Sequence, residues 1–235
     1  MQTIQTVFED FHTRVQEVNQ YFVFLESLIQ ETTKLAVSGD QGEQKITPIG
    51  SNLSYILTAN AFLLLYNLVE STMRNAIVAI WAEIGSKKIS FDFLRTEIKE
   101  IVIQDFKKRS HNHVVHSKLK DISLDIMTAE LNSEKFFSGN VDRDEITKTA
   151  REYGFSFKTD YSKTKHGEHL EDIRNNRNIL AHGNESFAKI GKDASFEHLL
   201  KVKEQVIEYL QQILQNIQEY LENEEYLDKS TLGTP

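Results

Sequence analysis

A chain of 235 residues, 40% of them hydrophobic, can bury one generous core, so a single domain over residues 1–235 is expected, with residues 85–165 as an inserted lobe. Having no cysteine, it excludes disulfide staples, thiolate zinc sites and a cysteine nucleophile, and suits the cytoplasm. A net charge of −8 argues against indiscriminate nucleic-acid binding.

Only two prolines occur, so most of the chain is free to be helical. Val7, Phe8, Phe11, Val15, Val18, Phe22, Leu25 and Ile29 recur at three- and four-residue steps and predict one amphipathic helix from Thr3 to Leu35. Near its start, Glu9 and Asp10 close behind Met1 do not fit the basic-then-apolar layout of a signal peptide. The polar stretch Gly39 to Gly50 reads as a loop or β-turn. Ser51 to Ile84 predicts a second long helix, apolar on most sides and therefore central. Its most apolar part, Ala59 to Trp81, is interrupted by Asn67, Glu70, Arg74 and Asn75, so no membrane span is expected.

Ser90 is a candidate cap for a third helix reaching Lys108, and Ile122 to Leu131 a short fourth. Periodicity stops around Phe136 to Asn140, after which Asp142 opens a short helix ending near Tyr153-Gly154. Phe155-Ser156-Phe157 alternates like a brief extended piece. From Glu168 the chain is again helical, with Gly183 as the residue just past the helix end. A loop through Gly191 leads to a last helix, Ser195 to Tyr226. Long helices at both ends predict an all-α, up-and-down bundle with a small inserted helical lobe.

Within the helix after Glu168 lies Arg174-Asn175-Asn176-Arg177-Asn178-Ile179-Leu180-Ala181-His182-Gly183. Asparagine competes with the backbone for hydrogen bonds, so three in a helix interior break a local rule and point to function. Metal-free RNA cleavage needs a base for the ribose 2′-hydroxyl, an acid for the leaving oxygen, and a cation for the charge building on phosphorus. His182 suits proton transfer, Arg177 the charge, and Asn178 can hold a phosphate oxygen or the imidazole. Yet five helical residues leave Arg177 and His182 about 140° apart around the axis. Either His182 has left the helix, or a second copy of the chain completes the site. The bland alternative pairs Arg177 with Glu70 or Glu171 and leaves His182 as a helix-terminal residue.

This run resembles the active-site helix of the HEPN superfamily, whose nuclease members are metal-independent endoribonucleases. Two further segments carry the resemblance: Ala61 to Ala76, similar to the central helix of stand-alone HEPN proteins, and Phe137 to Phe155, similar to an insert of the MAE-type HEPN-like nucleases. The resemblance implies an all-helical homodimer whose facing Arg-Asn-His motifs cut RNA, with Arg177, Asn178 and His182 in the catalytic roles and no cofactor or metal. It implies a toxin or antiviral effector with a neutralising antitoxin encoded nearby. The runner-up is a catalytically silent scaffold that binds a partner protein as antitoxin or regulatory subunit, and a third reading is nucleotide or RNA-end binding at the same cleft without turnover.

Glu70 and Arg74 share a helix face and are expected either to pair with each other or to brace Arg174 and Arg177. Lys107, Lys108 and Arg109 are expected to touch RNA phosphates, with His111, His113 and His116 beside them in a basic loop or, less favoured, a metal site. Lys118, Lys120, Lys158, Lys163 and Lys165 add to a local basic groove, whereas Glu219, Glu222, Glu224, Glu225 and Asp228 make the far end acidic. His166 and His169 read as surface residues on one helical face. Phe136 and Phe137 anchor the insert or, less simply, stack on a base.

Overall fold

The computed structural model describes residues 3–38, 44–109, 137 and 139–230, with side chains at 105–109 left out. Apart from one two-stranded hairpin, the regular elements of these residues are helices. The chain divides into two compact units, each assembled from separated segments.

One unit comprises residues 10–69 and 161–209. The first helix, α1 (Ile4–Ile29), buries Phe11, Val18, Phe22, Leu25 and Leu28 here. It stops six residues short of the expected Leu35. Glu31 turns left-handed (φ 55°), and the Thr32 hydroxyl donates to the Ser27 carbonyl (3.0 Å), which ties off the last turn. The chain then forms β1 (Lys34–Ser38), antiparallel to β2 (Gln44–Pro48), in a register pairing Lys34 with Pro48 and Ser38 with Gln44. All ten strand residues are exposed, so no burial pattern announced them.

Helix α2 (Ser51–Ser86) is, by length and composition, apolar enough to cross a membrane. Its residues Ala59, Leu65, Met73, Ala76, Ile77 and Ile80 are nevertheless buried within the protein to 1% exposure or less, as in a core helix. In the first unit the Tyr21 hydroxyl donates to the Leu57 carbonyl (2.5 Å), tying α1 to α2. Where a loop through Gly191 was expected, a short helix forms instead, Phe187–Asp193, capped by the Ser186 hydroxyl accepting from the Lys189 N–H. A methyl group on Gly191 would lie 1.7 Å from the Tyr55 carbonyl oxygen, so only glycine permits this contact. The last helix, Phe196–Glu222, runs antiparallel to α1: Phe196 stacks on Phe22 at 6.4 Å, and two turns later Lys203 reaches Asn19, one turn earlier on α1 (3.1 Å).

The other unit comprises residues 1–9, 70–160 and 210–235. Ser90 makes no side-chain cap. It precedes a 3-10 turn, Phe91–Phe93, and α3 (Thr96–Arg109) starts only afterwards. The expected helix Ile122 to Leu131 lies outside the described residues. Asp142 caps α4 (Arg143–Tyr153) by accepting from the Glu145 N–H (2.9 Å), and Gly154 ends it in the left-handed region (φ 88°). Phe155 to Phe157 form no strand; Phe155 is buried under the Tyr220 ring and Phe157 is exposed. Two polar aromatics of this core are tied by hydrogen bonds: the Trp81 indole donates to the Tyr153 hydroxyl (3.0 Å), and the Tyr220 hydroxyl to the Tyr153 carbonyl (2.8 Å). The last helix ends at Glu222 rather than Tyr226 because Glu224 turns left-handed (φ 50°), which brings Leu227 into a β-bridge with Leu94.

Arg95 locks that corner, holding Glu97 through two bonds (2.9 and 3.0 Å) and donating to the Gly154 and Glu225 carbonyls. Its guanidinium holds the Glu97 carboxyl below the usual carboxylate range.

Candidate functional site

The Arg-Asn-His run folds as a helix, Leu170–Ala181, in the first unit, here numbered α7 after the four-residue α5 (Tyr161–Thr164) and the 3-10 turn α6 (Lys165–Gly167). Leu170, Ile173 and Leu180 bury one side of it, which leaves the arginine- and asparagine-bearing side toward the surface. The asparagines are compatible with the helix because they are engaged locally. Asn176 donates back to the Asp172 carbonyl one turn earlier (2.9 Å), and the Asn175 Oδ1 accepts from Arg174 (3.1 Å).

Two contacts help to place Arg177. Its Nη1 donates to the Asn178 Oδ1 at 2.8 Å, and its guanidinium carbon lies 4.6 Å from the centroid of the Tyr66 ring. Tyr66, 3% exposed on α2, is a neighbour of Arg177 that spacing did not single out. A guanidinium within cation–π range of a buried ring keeps its charge and gains a fixed neighbour. Asn178 therefore meets the arginine, an alternative to the phosphate and imidazole roles expected for it.

His182 is exposed, at the end of the helix (φ −90°, ψ −2°). Its N–H still bonds the Asn178 carbonyl (3.0 Å), the Gly183 N–H bonds Leu180 (3.2 Å) and the Asn184 N–H bonds Ile179 (3.0 Å). This is a Schellman closure with Gly183 at φ 68°, as the glycine position implied. Because His182 remains on the helical path, its side chain leaves the axis about 140° away from Arg177. The histidine has not swung off the helix to join its own arginine.

Arg174 bonds Glu171 (3.4 Å) as well as Asn175. Glu70 and Arg74, in the other unit, pair with each other, one of the two arrangements their spacing allowed. Arg74 Nε is buried with no hydrogen bond among the described residues. Lys107, Lys108 and Arg109 occupy the last turn of α3, but their side chains, like His111, His113, His116, Lys118, Lys120 and Phe136, lie outside the described ones. His166 and His169 do not share a helical face. His166 sits in a left-handed turn, while His169 stands at the N-cap position of the motif helix without a side-chain cap bond and packs its ring 5.4 Å from His198. Among the described residues no group of three or more histidine and carboxylate side chains could hold a metal ion.

Neither a curated protein nor a solved structure matches the chain. A family model does, over residues 3–226, which takes in both units and the whole motif helix. On that match the chain belongs to the MAE_28990-like HEPN family.

Proposed function

We propose that this HEPN protein is a metal-independent endoribonuclease, working as the toxin of a toxin-antitoxin or antiviral defence system in the cytoplasm. Its site is a composite of two motif helices from two copies of the chain. The observation that carries this is the divergence of Arg177 and the exposed His182 on one helix, since a two-fold partner supplies the missing group to each. One imidazole takes the 2′-hydroxyl proton, the 2′-oxygen attacks phosphorus, and the other imidazole protonates the departing 5′-oxygen, leaving a 2′,3′-cyclic phosphate. The Arg177 guanidinium, held by Tyr66 and Asn178, meets the charge that builds on the phosphorane oxygens. Glu70 and Arg74 act in support, and Lys107, Lys108 and Arg109 hold the RNA backbone.

The test is incubation of purified protein with structured RNA in excess chelator. Wild type should release cyclic-phosphate ends, whereas His182→Ala and Arg177→Ala should keep their circular dichroism and lose at least about 100-fold in rate. Equal cleavage by all three sinks the assignment. A wild type that cuts nothing, is harmless on expression and captures a neighbouring protein tightly indicates a silent, partner-binding scaffold.

A further inference from the structure

Just ahead of the motif helix the backbone adopts a conformation that L-residues avoid. Lys165, His166 and Gly167 all have positive φ, at 49°, 49° and 76°, so the chain makes a short left-handed turn. Such conformations are costly for residues with a Cβ and persist where their surroundings impose them. Gly167 is explained by packing, since a Cβ there would lie 3.0 Å from the Tyr209 ring. Lys165 and His166 adopt the same region although each carries a Cβ. The turn is held by Thr164, 1% exposed, whose hydroxyl accepts from the His166 N–H (3.0 Å), and by the Glu168 N–H bonding the Lys165 carbonyl (3.1 Å).

What the turn achieves is a built surface. It folds Lys165 back so that its Nζ lies 4.4 Å from the centroid of Tyr161, and sets the His166 ring 5.2 Å from the same ring at 54°. Braced in this way, Tyr161 is still 54% exposed, a large aromatic held in place rather than buried. From Tyr161 to His169 the charged or chargeable side chains are Lys163, Lys165, His166 and His169 against Glu168, in a chain whose net charge is −8. Lys163 lies 3.7 Å from Glu208 and is otherwise exposed.

We infer that Tyr161, Lys165 and His166 form a platform on which an unpaired base of single-stranded RNA stacks, while Lys163 and Lys165 neutralise the flanking phosphates. The ligand rests on the ribonuclease reading; the addition is a residue-level preference for unpaired over duplex RNA. A fixed aromatic face accepts any base, and in a duplex those faces are already stacked.

Fluorescence anisotropy with a 2′-O-methyl RNA oligonucleotide, which lacks the attacking hydroxyl and so stays intact, measures binding apart from cleavage. Tyr161→Ala should weaken single-strand binding about five- to a hundredfold and leave the duplex of the same sequence unchanged, with Tyr161→Phe restoring it. Lys165→Gln should reduce the slope of log affinity against log salt by about 0.7. Unaltered single-strand binding in Tyr161→Ala, or an equal loss on duplex, overturns the platform, as does a wild type that binds no single strand. If Tyr161→Ala binds normally while cleavage still depends on His182, the platform fails and the nuclease stands. Tyr161-dependent binding without His182-dependent cleavage keeps the platform and removes the nuclease.

Discussion

At the scale of single residues, the site is a problem in fixing a flexible cation. An unrestrained arginine samples many rotamers and loses that freedom on binding phosphate. The ring of Tyr66 and the Oδ1 of Asn178 take up part of that cost before any ligand arrives. Arg177→Lys keeps the charge but neither lies flat on a ring nor forms a planar fork. It should therefore lower the cleavage rate at least about tenfold, whereas Tyr66→Phe, which keeps the ring face, should stay within about twofold of wild type. Single-turnover rates on one RNA substrate check both, and a lysine variant as fast as wild type would show that planarity is irrelevant. Arg177, Asn178 and His182 were nominated by the resemblance of their run to the HEPN motif and by asparagines placed against helix propensity, and spacing alone would not have chosen them. Tyr66 was not, because 111 positions separate it from Arg177 and nothing in a run of apolar residues marks which ring meets a cation.

Among the elements, those with a buried stripe were readable and those without one were not. The heptad-like spacing of α1 and of the last helix places both, and Asp142 with Gly154 brackets α4 to the residue. The hairpin β1–β2 failed to declare itself because both strands are wholly exposed, and Leu35 continued the helical period past the true end at Ile29. The helix Phe187–Asp193 went unread because Gly191 signals a loop locally, although in space it admits the Tyr55 carbonyl. Tyr21 shows how two elements are tied and makes the tie measurable. Burial pushes its phenol up to about 12, while its hydroxyl donates to Leu57. A folded-state value raised above the unfolded one, about 10, gives stability that is complete below that value and is lost as pH climbs through the folded one. Urea midpoints should thus decline between about pH 10 and 12. Tyr21→Phe should cost about 1 kcal/mol at neutral pH and flatten part of that decline. An identical alkaline slope in the variant would place the effect elsewhere, for instance at Tyr220 or Tyr226, which burial also raises.

For the molecule as a whole, the proposed pairing of two copies has a quantitative signature. If one composite site needs the imidazoles of both chains, mixing wild type with His182→Ala after subunit exchange should make activity follow the square of the wild-type fraction, about a quarter at equal amounts. A straight line, about half at equal amounts, means that one imidazole is enough for a site. The two units of one chain carry a different consequence. Both are interleaved along the sequence, the first needing residues up to 209 and the other residues 1–9 together with residues from 210 onward. Domains ordinarily fold one after another as they leave the ribosome. Here the first core is incomplete until residue 209 has emerged and the other until the residues from 210 onward follow, so the two are completed in close succession rather than one well before the other.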